Sequence, residues 1–132
     1  MLKSLKMNLK IIFKKLILID LLIIFAILST SFFESDDVVS FNEAIPIVDS
    51  FLIISGVWLL TLFVSLYLLY KFKAVGKQIY LAVFISGLIL TLISGSFAMD
   101  SWTYVLDALE SSIGGVLIFI LYFTPIKKEF DK

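Results

Sequence analysis

Four long apolar runs alternate with short polar connections along the chain. The first, LILIDLLIIFAILSTSFF from Leu16 to Phe33, is broken only by Asp20. The second extends from about Ile47 to Tyr70, and the third, Ile79 to Ala98, contains no charge. The fourth begins near Thr103 and ends at Thr124, just before Pro125. A helix needs roughly 20 mainly apolar residues to cross about 30 Å of hydrocarbon, so each run predicts a transmembrane helix. The connections are a loop from Glu34 to Pro46, the basic turn Lys71 to Lys77 and a tight turn around Asp100. Short connections favour antiparallel neighbours. The predicted fold class is an all-α integral membrane protein. It forms one domain, 1–132, a compact four-helix transmembrane bundle with helices at about 16–33, 47–70, 79–98 and 103–124.

Charge supplies the orientation. Lys3, Lys6, Lys10, Lys14 and Lys15 precede the first run, Lys71, Lys73 and Lys77 fill the second connection, and Lys127, Lys128 and Lys132 follow the last run. Every lysine therefore falls on one side, which the positive-inside rule makes cytoplasmic. The other side carries Glu34, Asp36, Asp37, Glu43, Asp49, Asp100, Asp107 and Glu110 and no basic residue. The expectation is N-in/C-in, multi-pass, in a bacterial cytoplasmic (inner) membrane. Aromatic residues agree, with Tyr67, Tyr70, Phe72, Tyr80, Tyr122 and Phe123 near the inner interface and Trp102 and Tyr104 near the outer one.

The first fifteen residues space Lys3, Lys6, Lys10 and Lys14 helically among Leu2, Leu5, Leu9, Ile12 and Phe13. One reading is a basic amphipathic segment lying on the anionic inner leaflet. The plainer one is a topogenic signal, or an extension of the first helix with snorkelling lysines. A cleavable signal peptide is the rival for the first run, with Ser29 and Ser31 as its small residues. The long basic region and bulky Phe32 and Phe33 argue instead for an uncleaved span.

Composition changes the picture by exclusion. Apolar residues make up 61% of the 132 and charged residues 17%, against about 45–50% and about 25% in soluble domains. Cys and His are absent, and so is Arg, which removes thiolate and imidazole metal sites, Cys–His nucleophiles and Ser–His triads. The side rich in acids offers no cation for a phosphate substrate. No catalytic motif remains, and neither an enzyme nor a cofactor is expected. The lysines are explained by topology, so nucleic acid is not expected as a partner.

Ionisable residues at membrane depth are candidates for function by default. Counting back from Thr124 places Asp107 roughly 3 Å and Glu110 roughly 8 Å into the outer half, at about 1.5 Å per residue. Thr103, Asp107, Glu110 and Gly114 share one helical face. On the third span Gly87, Thr91, Ser94 and Gly95 form a stripe of small and hydroxyl residues, and Ser55 stands beside Gly56 on the second. Together they suggest a polar vestibule opening outward, with Glu110 at its floor and Asp107 and Asp49 at its rim. The competing account is structural. Gly87, Gly95, Ala108, Ser112 and Gly115 let helices approach closely, and Asp107 compensates a helix dipole. Asp20, an inner-interface acid, reads first as an ion-pair partner of Lys14, Lys71 or Lys73. A hard cation held by Asp107, Glu110 and Asp49 is chemically reasonable, but spacing alone specifies no metal.

The leading functional expectation is a small membrane protein acting by helix–helix contact with a membrane partner or a second copy, as an accessory, assembly or immunity-type protein. The alternative is a small oligomeric cation- or proton-coupled transporter using Glu110.

Overall fold

The computed structural model describes residues 2–44, 49–93 and 98–130, with side chains for 8–44, 51–93 and 98–130. Among the described residues there are five α-helices: α1 (Leu2–Thr30), α2 (Asp36–Glu43), α3 (Asp49–Tyr70), α4 (Ala74–Ile93) and α5 (Ser101–Phe123). A 3-10 turn, Pro125–Glu129, follows α5. Three of the helices, over Phe51–Tyr70, Ala74–Ile93 and Ser101–Phe123, are long and apolar enough to cross a membrane. At 29 residues α1 is the longest, but Lys14, Lys15 and Asp20 interrupt its apolar stretch.

The boundaries differ from the sequence expectation in three places. No break separates the basic N-terminal segment from the first apolar run, because nothing between Leu2 and Thr30 stops a helix: there is no proline and no glycine. The polar loop after α1 contains a helix of its own, α2, which buries no residue. The basic connection shrinks to Lys71–Lys73, since α4 begins at Ala74 rather than Ile79.

That tight turn has a specific construction. The Phe72 amide donates to Leu69 O at 2.9 Å and the Lys73 amide to Leu68 O at 2.9 Å. This pair of bonds satisfies the last carbonyls of α3 as a left-handed helix cap does. The cap residue is usually glycine, yet here it is Phe72, at φ 54°. Its ring compensates by packing on Phe13 at 5.8 Å and Phe130 at 5.3 Å between centroids. Glycine is required four residues later. A Cβ on Gly76 would stand 2.6 Å from the Leu68 Cβ and 2.9 Å from the Leu68 carbonyl carbon, so α4 folds directly back along α3.

The long helices pack mainly in two pairs, α3 with α4 and α1 with α5, joined by α1 against α3. The core draws on Phe13, Ile17 and Ile24 of α1, Leu62, Leu66 and Leu69 of α3, Tyr80 and Val83 of α4, and Leu117, Ile120 and Leu121 of α5. Ile126 and Phe130 of the C-terminal turn complete it. All these residues occupy the lysine-rich half. Among the described residues none is buried in α3 before Leu62, in α4 after Val83 or in α5 before Gly114.

Polar clasps hold both ends of the α1–α5 pair. At the lysine-rich end the Lys10 ammonium reaches the Glu129 carboxylate at 2.7 Å. At the acidic end the Ser35 amide and hydroxyl donate to the two Asp100 carboxylate oxygens, each at 2.9 Å. Asn42 adds a reciprocal pair with the Ala98 backbone, donating at 3.0 Å and accepting at 2.9 Å.

Candidate functional site

Asp20 stands where α1 turns its packed face inward. Phe13, Ile17, Asp20 and Ile24 follow helical spacing, so a carboxyl occupies a position that its neighbours fill with apolar side chains. Its exposure is 0%. Among the described residues neither carboxylate oxygen has a hydrogen-bond partner.

The expected ion pair with Lys14, Lys71 or Lys73 is not formed. Six residues separate Lys14 from Asp20, which puts the two about 120° apart around the helix. The lysines bind aromatic faces instead. Lys14 lies 4.5 Å from the Tyr70 ring centre and 5.5 Å from that of Phe72, and Lys71 lies 5.8 Å from Tyr67. Lys73 is exposed. Cation–π contacts of this kind suit an ammonium at the edge of an apolar body, and among the described residues no cation pairs with Asp20.

Two titratable groups share its surroundings. Tyr80 is buried on α4, and Glu110 is half-buried on α5. Asp20 lies within electrostatic reach of Glu110, and Tyr80 within reach of both acids. The Tyr80 hydroxyl is placed by a close approach of α4 to α5. A Cβ on Gly114 would meet it at 3.4 Å and the Phe84 ring at 2.9 Å. Gly114 is one turn from Glu110 on the face that also carries Thr103 and Asp107. On that face Gly114 is buried, Glu110 half-buried and Asp107 exposed, and the buried Thr103 hydroxyl oxygen has no partner among the described residues.

The other candidates are dispersed. Asp107 is exposed and Ser55 half-buried. Thr91 is exposed, with its hydroxyl donating to Gly87 O at 3.0 Å, and the Ser112 hydroxyl donates to Ala108 O at 2.7 Å. Gly87 receives the Trp58 ring, whose nearest atom would stand 2.8 Å from an added Cβ. The Trp58 indole N–H donates to Val83 O at 2.9 Å and to the Ser86 hydroxyl at 3.2 Å. Ala108, Ser112 and Gly115 are exposed on one side of α5. Ser94 and Gly95 lie outside the described residues, as does the side chain of Asp49. Among the described residues no three acidic side chains converge closely enough to hold a metal ion.

Tyr80 was the member of this cluster hardest to find in the sequence. Tyr80 reads as an interfacial aromatic, yet Gly76, Tyr80, Val83 and Gly87 follow an i, i+4, i+7, i+11 pattern that marks one face. That periodicity was the available signal. Comparison with known proteins finds no matching family model, no matching curated protein and no matching solved structure.

Proposed function

We propose that this is a four-span membrane protein, with α1 crossing beside α5 and both termini on the cytoplasmic side of an inner membrane, that acts by helix–helix contact. The clasps Lys10–Glu129 and Ser35–Asp100 support the fourth span, because they tie α1 to the α5 segment at both of its ends. The one-sided lysines support the orientation. In this orientation the cations available to an anionic inner leaflet are Lys10 and Lys14 with Lys3 and Lys6 of the same segment; the side chains of Lys3 and Lys6 lie outside the described residues.

The observation that carries the contact reading is the outward side of α5. Ala108, Ser112 and Gly115 recur at helical spacing, and a Cβ on Gly115 would meet nothing within 4 Å. By contrast, Gly76, Gly87 and Gly114 are each filled by a neighbour within the chain. Small residues favour association in lipid because they let a second backbone approach closely. A photocrosslinking residue at position 112, used in native membranes, tests this. The expected result is an adduct with another membrane polypeptide or a second copy, lost in Gly115→Leu. Labelling no stronger than at lipid-facing position 92 sinks the contact reading.

A second reading, proton-coupled transport, draws on the buried, unpartnered Asp20 within reach of Glu110. It predicts that Glu110→Gln abolishes a pH-dependent flux in liposomes while leaving the helices folded. A flux equal to that of the unaltered protein rules this reading out.

A further inference from the structure

The packed face of α1 carries Phe13, Ile17, Asp20 and Ile24, three apolar side chains and one acid. Asp20 is fully buried, and among the described residues its carboxylate oxygens have no hydrogen-bond partner. Its two protonation states differ in cost. A neutral carboxyl buried in this way loses hydrogen bonds to water, whereas an isolated carboxylate loses the solvation of a whole charge, a far larger penalty. A cation alongside would favour the ionised form, but among the described residues none is paired with Asp20. The elements packed on α1 do not reverse that order. α5 brings Glu110 within electrostatic reach, with Asp107 one turn beyond it, and both are acids. The buried face of α3 carries Leu62, Ser65, Leu66 and Leu69 and nothing titratable, while its Tyr70 lies against Lys14. The C-terminal turn places Glu129 on Lys10 and leaves Lys127 and Lys128 exposed. From α4 comes the buried Tyr80 phenol.

The hold on α1 is uneven along its length. Polar clasps fix its two ends, Lys10 on Glu129 and Ser35 on Asp100. Its middle rests on packing against α5 and α3 through apolar side chains. Asp20 stands in that middle section, where burial alone opposes the entry of water.

We propose that Asp20 is a proton-sensitive latch on α1. While the carboxyl is neutral, the middle of α1 stays packed on α3 and α5. When it ionises, that section parts from them and admits water to the carboxylate, and the clasped ends hold. The packed state carries one proton that the open state releases to water, and no other covalent bond forms or breaks. Opening is therefore driven by rising pH and reversed by falling pH. The latch depends on packing within the chain, so it stands whether the protein works by contact or by transport.

Spin-label distances in the full-length protein in lipid vesicles test the latch. The chain has no cysteine, so Leu22→Cys on α1 and Leu60→Cys on α3, both at exposed positions, carry the labels without background. The expected result is one short distance at mildly acid pH and a second, longer one at mildly alkaline pH. The ratio of long to short rises by up to about tenfold per pH unit and falls back when the pH is returned. Asp20→Asn is expected to hold the short distance at both pH values. A control pair, Leu60→Cys with Leu88→Cys on α4, is expected not to respond. A distance between α1 and α3 that ignores pH overturns the proposal, and so does a response that persists in Asp20→Asn. A control pair that moves equally also overturns it, since the opening is then not confined to α1. Where Asp20→Asn does not fold, Asp20→Leu serves: it continues the apolar face, and a pH-dependent distance in that variant overturns the assignment.

Discussion

Ser35 and Asp100, 65 positions apart, cap one another instead of their own helices. Each occupies the N-cap position of a helix, Ser35 of α2 and Asp100 of α5, and neither side chain bonds its own first turn. The Ser35 amide and hydroxyl both donate to the Asp100 carboxylate instead. The exchange ties the end of α1 to the start of α5.

Removing that tie loosens the acidic end without unfolding the lysine-rich half. Asp100→Ala is expected to cost about 1 kcal/mol, below the about 1.5–3 kcal/mol of hydrogen bonds to a charged group because these are exposed. Hydrogen exchange is expected to accelerate across residues 35–44 and to stay unchanged across 62–69. Equal acceleration in both segments contradicts a local clasp.

Gly76→Ala and Gly115→Ala separate a glycine the chain needs from one it does not. The first drives a methyl group into the backbone of Leu68, and overpacking of this kind costs about 1–3 kcal/mol. The second meets open space and gains up to about 1 kcal/mol of helix propensity. Unfolding in detergent followed by circular dichroism compares them, and a Gly76→Ala protein as stable as the parent refutes the close approach.

Phe72 sets backbone strain against ring packing. A left-handed conformation costs a residue with a Cβ about 1–2 kcal/mol, while its ring contacts Phe13 and Phe130. Both Phe72→Ala and Phe72→Gly lose the ring, but only glycine escapes the strain. The glycine variant is therefore expected to be about 1 kcal/mol more stable than the alanine variant, the reverse of the usual order. Chemical denaturation of the two proteins decides it.

The two tryptophans report depth. Trp58 lies nine residues into α3 and packs on Gly87, while Trp102 is the second residue of α5 and is 80% exposed. At about 1.5 Å per residue, Trp58 sits about 14 Å below the start of its helix. In single-tryptophan proteins, lipids brominated near the acyl-chain ends are expected to quench the residue at 58, and those brominated near the headgroup the residue at 102. Equal depths are incompatible with α3 and α5 crossing a bilayer.

Much of the body was legible because lipid solvent imposes a simple rule: three apolar runs became long helices, and α3 and α5 lie within two residues of their expected ends. The misses are local. The α2 helix was hidden because its residues bury nothing and leave no apolar stripe, and the early start of α4 because Lys77 reads as part of a polar turn. The shared face of Thr103, Asp107, Glu110 and Gly114 was also visible, since helical periodicity is a property of the chain. Which helix that face meets was not.

The sequence by itself determined the helical class, the segregation of every lysine to one end and the presence of acids among apolar residues, because these follow from composition and local spacing. Only the tertiary structure decided how the acids are surrounded. Asp20 looked like half of an ion pair with nearby lysines, but helix rotation carries Lys14 away to Tyr70 and Phe72. The clasp between Ser35 and Asp100, and the electrostatic neighbourhood shared by Asp20, Tyr80 and Glu110, join residues far apart in the chain. Such contacts depend on the angle and register at which helices pack, and no local pattern of residues encodes those.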